Sequence, residues 1–145
     1  MSANITGLDH IAIATPDLDV AVRFWETQLG LKVEHIEELP ERGIRVAFLP
    51  VGTNGVRIEL VAPLPGREQD SEVSKFLNDR GGGIHHIALR TDDVDADALA
   101  LESAGARLAQ QPKPGAHNCR VAFVHPKSTG GVLLELSTPS STTKH

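Results

Sequence analysis

The sequence lacks the features that mark several classes of protein. It has a single cysteine, Cys119, in 145 residues, which excludes an internal disulfide framework and a zinc site built from cysteines. No apolar run approaches the roughly 18 residues that a membrane helix needs. The first ten residues carry neither a basic start followed by an apolar run nor an arginine-rich amphipathic stretch, so we expect no targeting segment. These absences predict a cytoplasmic enzyme with no membrane partner.

An excess of basic residues is also missing. The chain has 14 Lys and Arg against 19 Asp and Glu, a formal net charge of −5. Because binding to nucleic acid depends on cations that neutralise phosphates, this balance argues against a nucleic-acid partner. The 40% hydrophobic and 23% charged residues are typical of a globular protein, whose length suits one domain or two half-domains that share a core. Residues 138–145 are mostly small and polar, and we expect them to form a flexible tail.

The sequence contains an internal repeat, and this is its main organising feature. The aligned segments are 9–12 (DHIA) with 85–88 (HHIA), 45–48 (RVAF) with 120–123 (RVAF), and 55–60 (GVRIEL) with 131–136 (GVLLEL). The offset between the two copies is 75 or 76 residues throughout. One structural unit is therefore expected to occur twice in the chain.

Each copy predicts a strand, a helix and three further strands. Residues 8–14 alternate between small or polar and β-branched side chains, which is typical of a strand with two different faces. Asp17 or Asp19 can cap the helix that follows. Its apolar residues recur at helical spacing, namely Leu18, Ala21, Val22, Trp25 and Leu29. In the second copy we expect a helix over about 93–104, ended by Gly105.

These elements predict an α+β fold made of two tandem βαβββ modules. We expect the modules to span about 7–63 and 83–137 within a single domain, residues 7–137, with a linking helix over about 71–80. A four-stranded sheet with a helix on one side leaves its other face to be filled. Two such sheets related by a pseudo-twofold axis would form a mixed sheet with a cleft, which is where a ligand site is expected.

Two histidines and two glutamates occupy equivalent positions in the two copies. His10 and His86 are 76 residues apart, as are Glu59 and Glu135, and each histidine precedes its glutamate by 49 residues. Strand alternation places them on the face opposite to the apolar residues that pack on the helix, so we expect them to project into the cleft. Two neutral imidazoles and two carboxylates suit Mn, Fe, Co, Ni or Zn. A single strand histidine is usually a core residue and a single glutamate is usually solvated, but the matched arrangement favours a metal site.

The remaining histidines and the cysteine lack this pattern. His85 has the parity of the helix side of its strand and is interpreted as structural. Four others have no partner at the repeat offset and are expected to be solvated or to lie in loops, namely His35, His117, His125 and His145. Cys119 has no paired base or acidic partner near it in the sequence and is interpreted as inert.

Four segments carry a resemblance to a known family. They are 8–14 (LDHIAIA), 39–46 (LPERGIRV), 83–88 (GIHHIA) and 125–136 (HPKSTGGVLLEL). Together with the four candidate ligands, they resemble the vicinal oxygen chelate, or glyoxalase-like, superfamily and within it the methylmalonyl-CoA epimerase family. The resemblance covers nearly all of residues 7–137. The last segment is the most specific, because its HPK and GGVL residues are characteristic of the epimerases, whereas the first is shared across the superfamily.

The resemblance implies an isomerase of propionate metabolism that interconverts the C2 epimers of methylmalonyl-CoA. The reaction would remove the C2 proton to give a metal-stabilised enolate and return a proton to the opposite face. The resemblance implies a divalent metal, Co2+ first, with Mn2+, Ni2+ or Zn2+ as alternatives. It also implies an acyl-CoA substrate and a homodimer.

The resemblance also bears on the catalytic bases. Many relatives carry a base glutamate three residues after the glycine of an E-x-G motif, where this chain has Val46, and they often have glutamine where it has Glu59. The proton-transfer pair is therefore drawn from Glu59 and Glu135, or from a group that the motifs do not identify. Glu135 is assigned a combined ligand and catalytic role. Glu59 is left as a ligand, as a base, or as both at different stages.

The sequence also offers candidate substrate contacts and leaves alternative functions open. Lys127 and Arg120 are the candidate contacts to CoA or to a carboxylate, and the loop 113–120 matches a family segment near the substrate end. The alternatives are a glyoxalase, an extradiol dioxygenase, or a metal-free resistance module that binds a small molecule. A fourth ligand, Glu59, argues against the dioxygenase, which uses two histidines and one carboxylate. Four matched ligands argue against the metal-free module.

Overall fold

The computed structural model describes residues 2–139, and these residues contain the same order of elements twice. The first copy consists of β1 (Ile5–Ala14), α1 (Leu18–Thr27), β2 (His35–Leu39), β3 (Ile44–Pro50) and β4 (Arg57–Pro63). After α2 (Ser74–Arg80), the second copy consists of β5 (Gly83–Thr91), α3 (Val94–Ser103), β6 (Leu108–Gly115), β7 (Cys119–Val124), the short α4 (Pro126–Thr129) and β8 (Leu134–Pro139). The predicted α+β class and βαβββ order are confirmed.

The described residues form two compact units whose boundary differs from that of the repeat. The central unit runs from His10 to His85, and the terminal unit joins the residues before His10 to those from His86 onward. Within the terminal unit, Arg90 donates hydrogen bonds from Nε and Nη2 to Oδ1 of Asp9, at 3.3 and 2.9 Å. The first half of β1 is therefore tied to β5 by a charged pair.

The central unit has the strand order β2-β3-β4-β1, in which β1 and β4 are parallel and the other pairs are antiparallel. Helix α1 covers one face of this sheet. The buried side chains between them are Leu18, Ala47, Leu49, Leu60 and Ala62, with Ile13, Trp25 and Ile58 packed against them. Each such leucine contributes about 1.5–3 kcal/mol when it is fully buried. Because strand side chains alternate, Glu59 lies on the opposite face from Ile58 and Leu60, as predicted.

The structure decides between the two predicted caps of α1, starts α3 one residue later than expected, and ends α1 early. Asp17, not Asp19, caps α1, since its side chain accepts a hydrogen bond from the backbone N–H of Val20 at 3.2 Å. Asp93 caps α3 in the same way, accepting from Ala96 at 3.1 Å. Leu29 was expected within the first helix, but α1 ends at Thr27 and the Leu29 side chain is exposed.

The turn between β2 and β3 fixes the register of those two strands. It is a 3-10 turn over Pro40–Arg42 that ends at Gly43, whose φ is 70°. A Cβ added at Gly43 would lie 3.0 Å from the Arg67 side chain and 3.0 Å from the Asp70 carbonyl oxygen, so both the backbone conformation and the space require glycine. The turn sets five residue pairs, from His35 with Phe48 to Leu39 with Ile44.

The terminal unit has the strand order β5-β8-β7-β6, with β5 and β8 parallel. Helix α3 packs on it through a cluster of Val94, Ala122, Val124 and Leu136. Strand β8 extends two residues beyond the predicted end of the domain, because Thr138 Oγ1 donates to the carbonyl of Thr91 at 2.8 Å and accepts from the N–H of Val94 at 3.1 Å. The rest of the expected tail, 140–145, lies outside the described residues.

The expected linking helix is shorter than predicted. Helix α2 begins at Ser74, and it ends at Arg80 because Gly81 adopts the left-handed conformation with φ 77°. Over residues 2–139, none of the helices combines the length and apolar character that crossing a membrane requires.

Candidate metal centre

His10 and Glu59 form the first of two equivalent pairs. His10 lies on β1 and Glu59 on the adjacent parallel strand β4, and Nε2 of His10 is 3.2 Å from Oε1 of Glu59. The two side chains are only 5% and 7% exposed. The Phe48 and His10 rings pack in a T-shaped arrangement, with centroids 5.7 Å apart and planes at 77°. Packing on Phe48 therefore holds the imidazole toward the carboxylate.

His86 and Glu135 repeat this arrangement in the terminal unit. Nε2 of His86 is 2.9 Å from Oε1 of Glu135, and the side chains are 6% and 9% exposed. The ring of Phe123 takes the place of Phe48, with centroids 5.3 Å apart and planes at 89°. The strand register pairs Glu135 with Ala88 on one side and with Phe123 on the other. The two copies of the repeat therefore build the same local site twice.

The chemistry of the donor set fits a divalent cation. Burying a carboxylate costs several kcal/mol unless it is paired or coordinates a metal. Each pair offers one imidazole nitrogen and one carboxylate oxygen, separated by 2.9 or 3.2 Å. Two ligand atoms that each lie about 2.1 Å from one cation at about 90° are about 3.0 Å apart. The observed separations therefore match ligands of a common ion.

Two further sequence-based interpretations concern the faces of these sheets. The ring of His85 packs edge-on against Phe76 of α2, with centroids 5.1 Å apart, which agrees with the structural role expected for it. Val46 is only 1% exposed and is paired with Val61 across β3 and β4. The position at which the family resemblance implied a base is thus a buried apolar site in this chain.

The candidate substrate contacts have protein partners. Arg120 donates from Nε and Nη2 to the two carboxylate oxygens of Asp95, at 2.7 and 2.9 Å. This hydrogen-bonded pair lowers the pKa of Asp95 and raises the pKa of Arg120. Lys127 is exposed in α4, and its backbone N–H donates to Nδ1 of His125 at 3.0 Å. Desolvation, followed by the nearby charges of Arg107 and Lys127, lowers the pKa of His125.

Three of the histidines that were expected to be solvated or in loops are placed by the structure. His35 lies within β2, not in a loop, and its Nε2 is 3.0 Å from Oε1 of Glu37. His117 has a φ of 58° in the turn before β7, and Sγ of Cys119 donates to its carbonyl at 3.4 Å. His125 is the N-cap of α4. His145 lies outside the described residues.

The internal repeat does not reveal the pairing of His35 with Glu37, because neither residue has an equivalent at the repeat offset. Both residues lie on the face of β2 that carries Leu39, and they alternate with the exposed residues Ile36 and Glu38. Period-two alternation in 35–39 was the signal that could have found them.

Comparison with known proteins places the chain in a family. Residues 9–123 match the family model described as Glyoxalase/Bleomycin resistance protein/Dioxygenase superfamily, and the chain belongs to this superfamily. The chain is 42% identical over 135 residues to human mitochondrial methylmalonyl-CoA epimerase, covering 92% of this chain and 74% of that protein. It is 39% identical over 132 residues to the ethylmalonyl-CoA/methylmalonyl-CoA epimerase of Cereibacter sphaeroides, covering 89% and 95%.

A solved structure gives the same result. The crystal structure of methylmalonyl-CoA epimerase from Mycobacterium tuberculosis superposes with a TM-score of 0.88 at 41% identity, covering 98% of this chain and 93% of that one. Within the superfamily, the chain belongs to the methylmalonyl-CoA epimerase family. The family resemblance and the glyoxalase-like fold expected from the sequence are confirmed.

Proposed function

We propose that this chain is a metal-dependent epimerase that interconverts the C2 epimers of methylmalonyl-CoA. The observation that carries the proposal is the duplicated buried contact between a histidine and a glutamate, His10 with Glu59 and His86 with Glu135, in a chain of this family. A methylmalonyl-CoA epimerase needs a site that supports removal of a weakly acidic proton next to a thioester, and these residue types supply one.

His10, Glu59, His86 and Glu135 are the proposed ligands of a divalent cation. Two imidazoles and two carboxylates suit Co2+, which we place first, and Mn2+, Ni2+ or Zn2+ as alternatives. A cation held by these groups would stabilise negative charge on the thioester oxygen when the C2 proton is removed. Phe48 and Phe123 support the site by fixing the ring orientation of the two histidines.

Glu135 is the first proposed acid–base residue. Its carboxylate has a second oxygen besides the one that faces His86, so it can contact the ligand set and still accept a proton. Glu59 has the same arrangement with His10 and is the second carboxylate of the proposed catalytic pair. Because inversion removes a proton from one face of C2 and returns a proton to the other, two such groups are required.

The remaining features of the proposal concern the substrate and the cell. Lys127 and Arg120 are proposed to contact the phosphates or the carboxylate of the acyl-CoA, as cations commonly do. Lys127 is exposed and available for this role, whereas Arg120 would have to exchange Asp95 for the substrate. A homodimer that acts in the cytoplasm, within propionate metabolism, completes the proposal.

The decisive test combines metal analysis with isotope exchange. The purified protein is loaded with Co2+, its metal content is measured, and methylmalonyl-CoA in D2O is followed by mass spectrometry. Metal-dependent entry of deuterium at C2, lost after chelation and restored by Co2+, is the expected result. Absence of exchange by the metal-loaded protein would contradict the proposal, as would turnover of a glutathione hemithioacetal in its place. Running ethylmalonyl-CoA in parallel defines the range of acyl groups.

A further inference from the structure

The ligand face of the central sheet carries a second acid–base pair on its edge strand. The strand register aligns His35, Phe48 and Glu59 in one row across β2, β3 and β4. The next row contains Glu37, Val46 and Val61. Directly paired residues of antiparallel strands point to the same face. His35 and Glu37 therefore share the face of Glu59, on the side of the sheet away from α1.

The contacts of this pair connect it to the proposed ligands. Nε2 of His35 lies 3.0 Å from Oε1 of Glu37. The His35 ring stacks on Phe48, with centroids 6.3 Å apart and planes at 22°, and the same Phe48 packs at a steep angle to His10. Phe48 thus contacts both imidazoles. The His35 and Glu37 side chains are 41% and 29% exposed, so a substrate can reach them, unlike the nearly covered His10 and Glu59.

The row that contains Glu37 is otherwise apolar. Val46 and Val61 are 1% and 3% exposed, and neither can move a proton. Paired residues on adjacent strands have Cβ atoms about 4.5–5.5 Å apart, so Glu37 lies directly beside the apolar surface formed by Val46 and Val61. A methyl-bearing carbon lying on the two valines would have a carboxylate beside it.

We propose that Glu37 is a catalytic acid–base residue for the C2 proton and that His35 is its positioning residue. The inference rests on the proposed function and deepens it. The Glu37 carboxylate accepts the C2 proton of one epimer, the electron pair of the broken C–H bond stays with the substrate, and Glu135 delivers one proton to the opposite face. In the reverse direction the two glutamates exchange roles. Glu37 thereby replaces Glu59 in the catalytic pair of the proposed function, and Glu59 keeps its role as a ligand.

The exposed His35 gives this pair a route to solvent. Its imidazole can accept the proton held by Glu37 and release it to water, because one ring nitrogen faces the carboxylate and the side chain is partly exposed. Each turnover that passes through Glu37 therefore exchanges its proton with solvent.

The test uses Glu37→Gln, with Glu38→Gln as a matched control. Glu38 is the next residue of β2, points to the opposite face and pairs with Arg45 in the register. We expect Glu37→Gln to lower the epimerisation rate by about 100-fold or more while metal content stays stoichiometric. In D2O it should still exchange C2 of the one epimer served by Glu135, without inversion. Deuterium is followed by mass spectrometry and inversion by circular dichroism of the thioester.

The outcomes separate this inference from the proposed function. Epimerisation by Glu37→Gln at the wild-type rate would overturn the inference, and so would an equal loss of exchange for both epimers. Failure of the wild-type protein to exchange either epimer would instead overturn the proposed function. Glu37→Asp should recover part of the activity. His35→Gln should lower kcat with KM unchanged and alter the pH profile, whereas an unchanged pH profile would exclude its positioning role.

Discussion

The Nε2 atom of His86 lies 2.9 Å from Oε1 of Glu135, across two parallel strands that belong to one compact unit. The same atoms of His10 and Glu59 lie 3.2 Å apart in the other unit. Each pair is buried, and each imidazole makes a T-shaped contact with a phenylalanine ring. Because the same contact occurs in both units, His10 and His86 are expected to contribute equally to metal binding.

Metal binding should depend on His86 and not on its neighbour. His86→Gln removes a nitrogen that faces Glu135, whereas His85→Gln changes a ring that packs on Phe76. Removing one donor leaves an incomplete set, so we expect His86→Gln to lose Co2+ on dialysis while His85→Gln retains it. His10→Gln should behave like His86→Gln. Titration calorimetry and elemental analysis measure the effect, and equal affinity in the two variants would contradict the assigned ligands.

Glu135→Gln should lose far more activity than Val46→Glu. The first change removes the proposed acid–base group, and we expect kcat to fall by about 10²–10⁴-fold. The second places a carboxylate at a position that is 1% exposed, so it should lower the stability of the fold by about 1–3 kcal/mol. Activity is therefore compared per folded molecule, with thermal unfolding measured alongside. Equal losses of kcat would show that Glu135 has no special role.

Stability at mildly acidic pH should depend on His125. Its neutral Nδ1 accepts the N–H of Lys127 at 3.0 Å, and its pKa is lowered below the ordinary value of 6.5. Since the unfolded chain binds a proton more readily than the folded one, stability is complete above about pH 6.5 and falls as the pH decreases toward the lowered pKa. His125→Asn keeps an N-cap acceptor without titrating. Urea unfolding at several pH values should show a weaker pH dependence for this variant, and an unchanged slope would refute the assignment.

The pair formed by Arg120 and Asp95 allows a test of substrate binding. The pKa of Asp95 is lowered by its hydrogen bonds to Arg120, so the stabilisation is present above the ordinary value of 3.8 and is lost as the pH falls through the lowered pKa. Both Arg120→Gln and Asp95→Asn should therefore lower stability at neutral pH, and their difference from the wild type should disappear in acid. We expect only Arg120→Gln to raise KM for methylmalonyl-CoA. If KM is the same in both variants, the role of Arg120 is confined to the ion pair.

Much of the fold was predictable because its signals are local. The 76-residue offset follows from aligning two stretches of the sequence, and it predicts the element order. The alternation around His10 and Glu59 follows from neighbouring residues, and it predicts the faces of the strands. The family membership was likewise carried by contiguous segments. The assignment of all four ligands to one cation stays a prediction, since each pair lies within its own unit.

The sequence alone does not show that His35 pairs with Glu37, or that the two residues lie beside Phe48 and Val46 of the next strand. It depends on the register of β2 and β3, which the turn ending at Gly43 fixes only in the folded chain. The end of α1 at Thr27 and the extension of β8 to Pro139 depend in the same way on tertiary contacts, as the two hydrogen bonds of Thr138 illustrate. The secondary-structure propensities of single residues do not determine strand register or these element ends.

The division of β1 between the two units has a consequence for cutting the chain. Asp9 and Asn4 precede His10 but make their contacts with Arg90 and Asp97, in the second copy of the repeat. A fragment that begins at Gly83 would contain a complete βαβββ sequence and still lack these partners. The fragment that begins at Gly83 should therefore not fold as an autonomous module, whereas fragments 1–82 and 83–145 expressed together should associate by fragment complementation. The duplicated sequence and the cooperative folding unit are different entities in this protein.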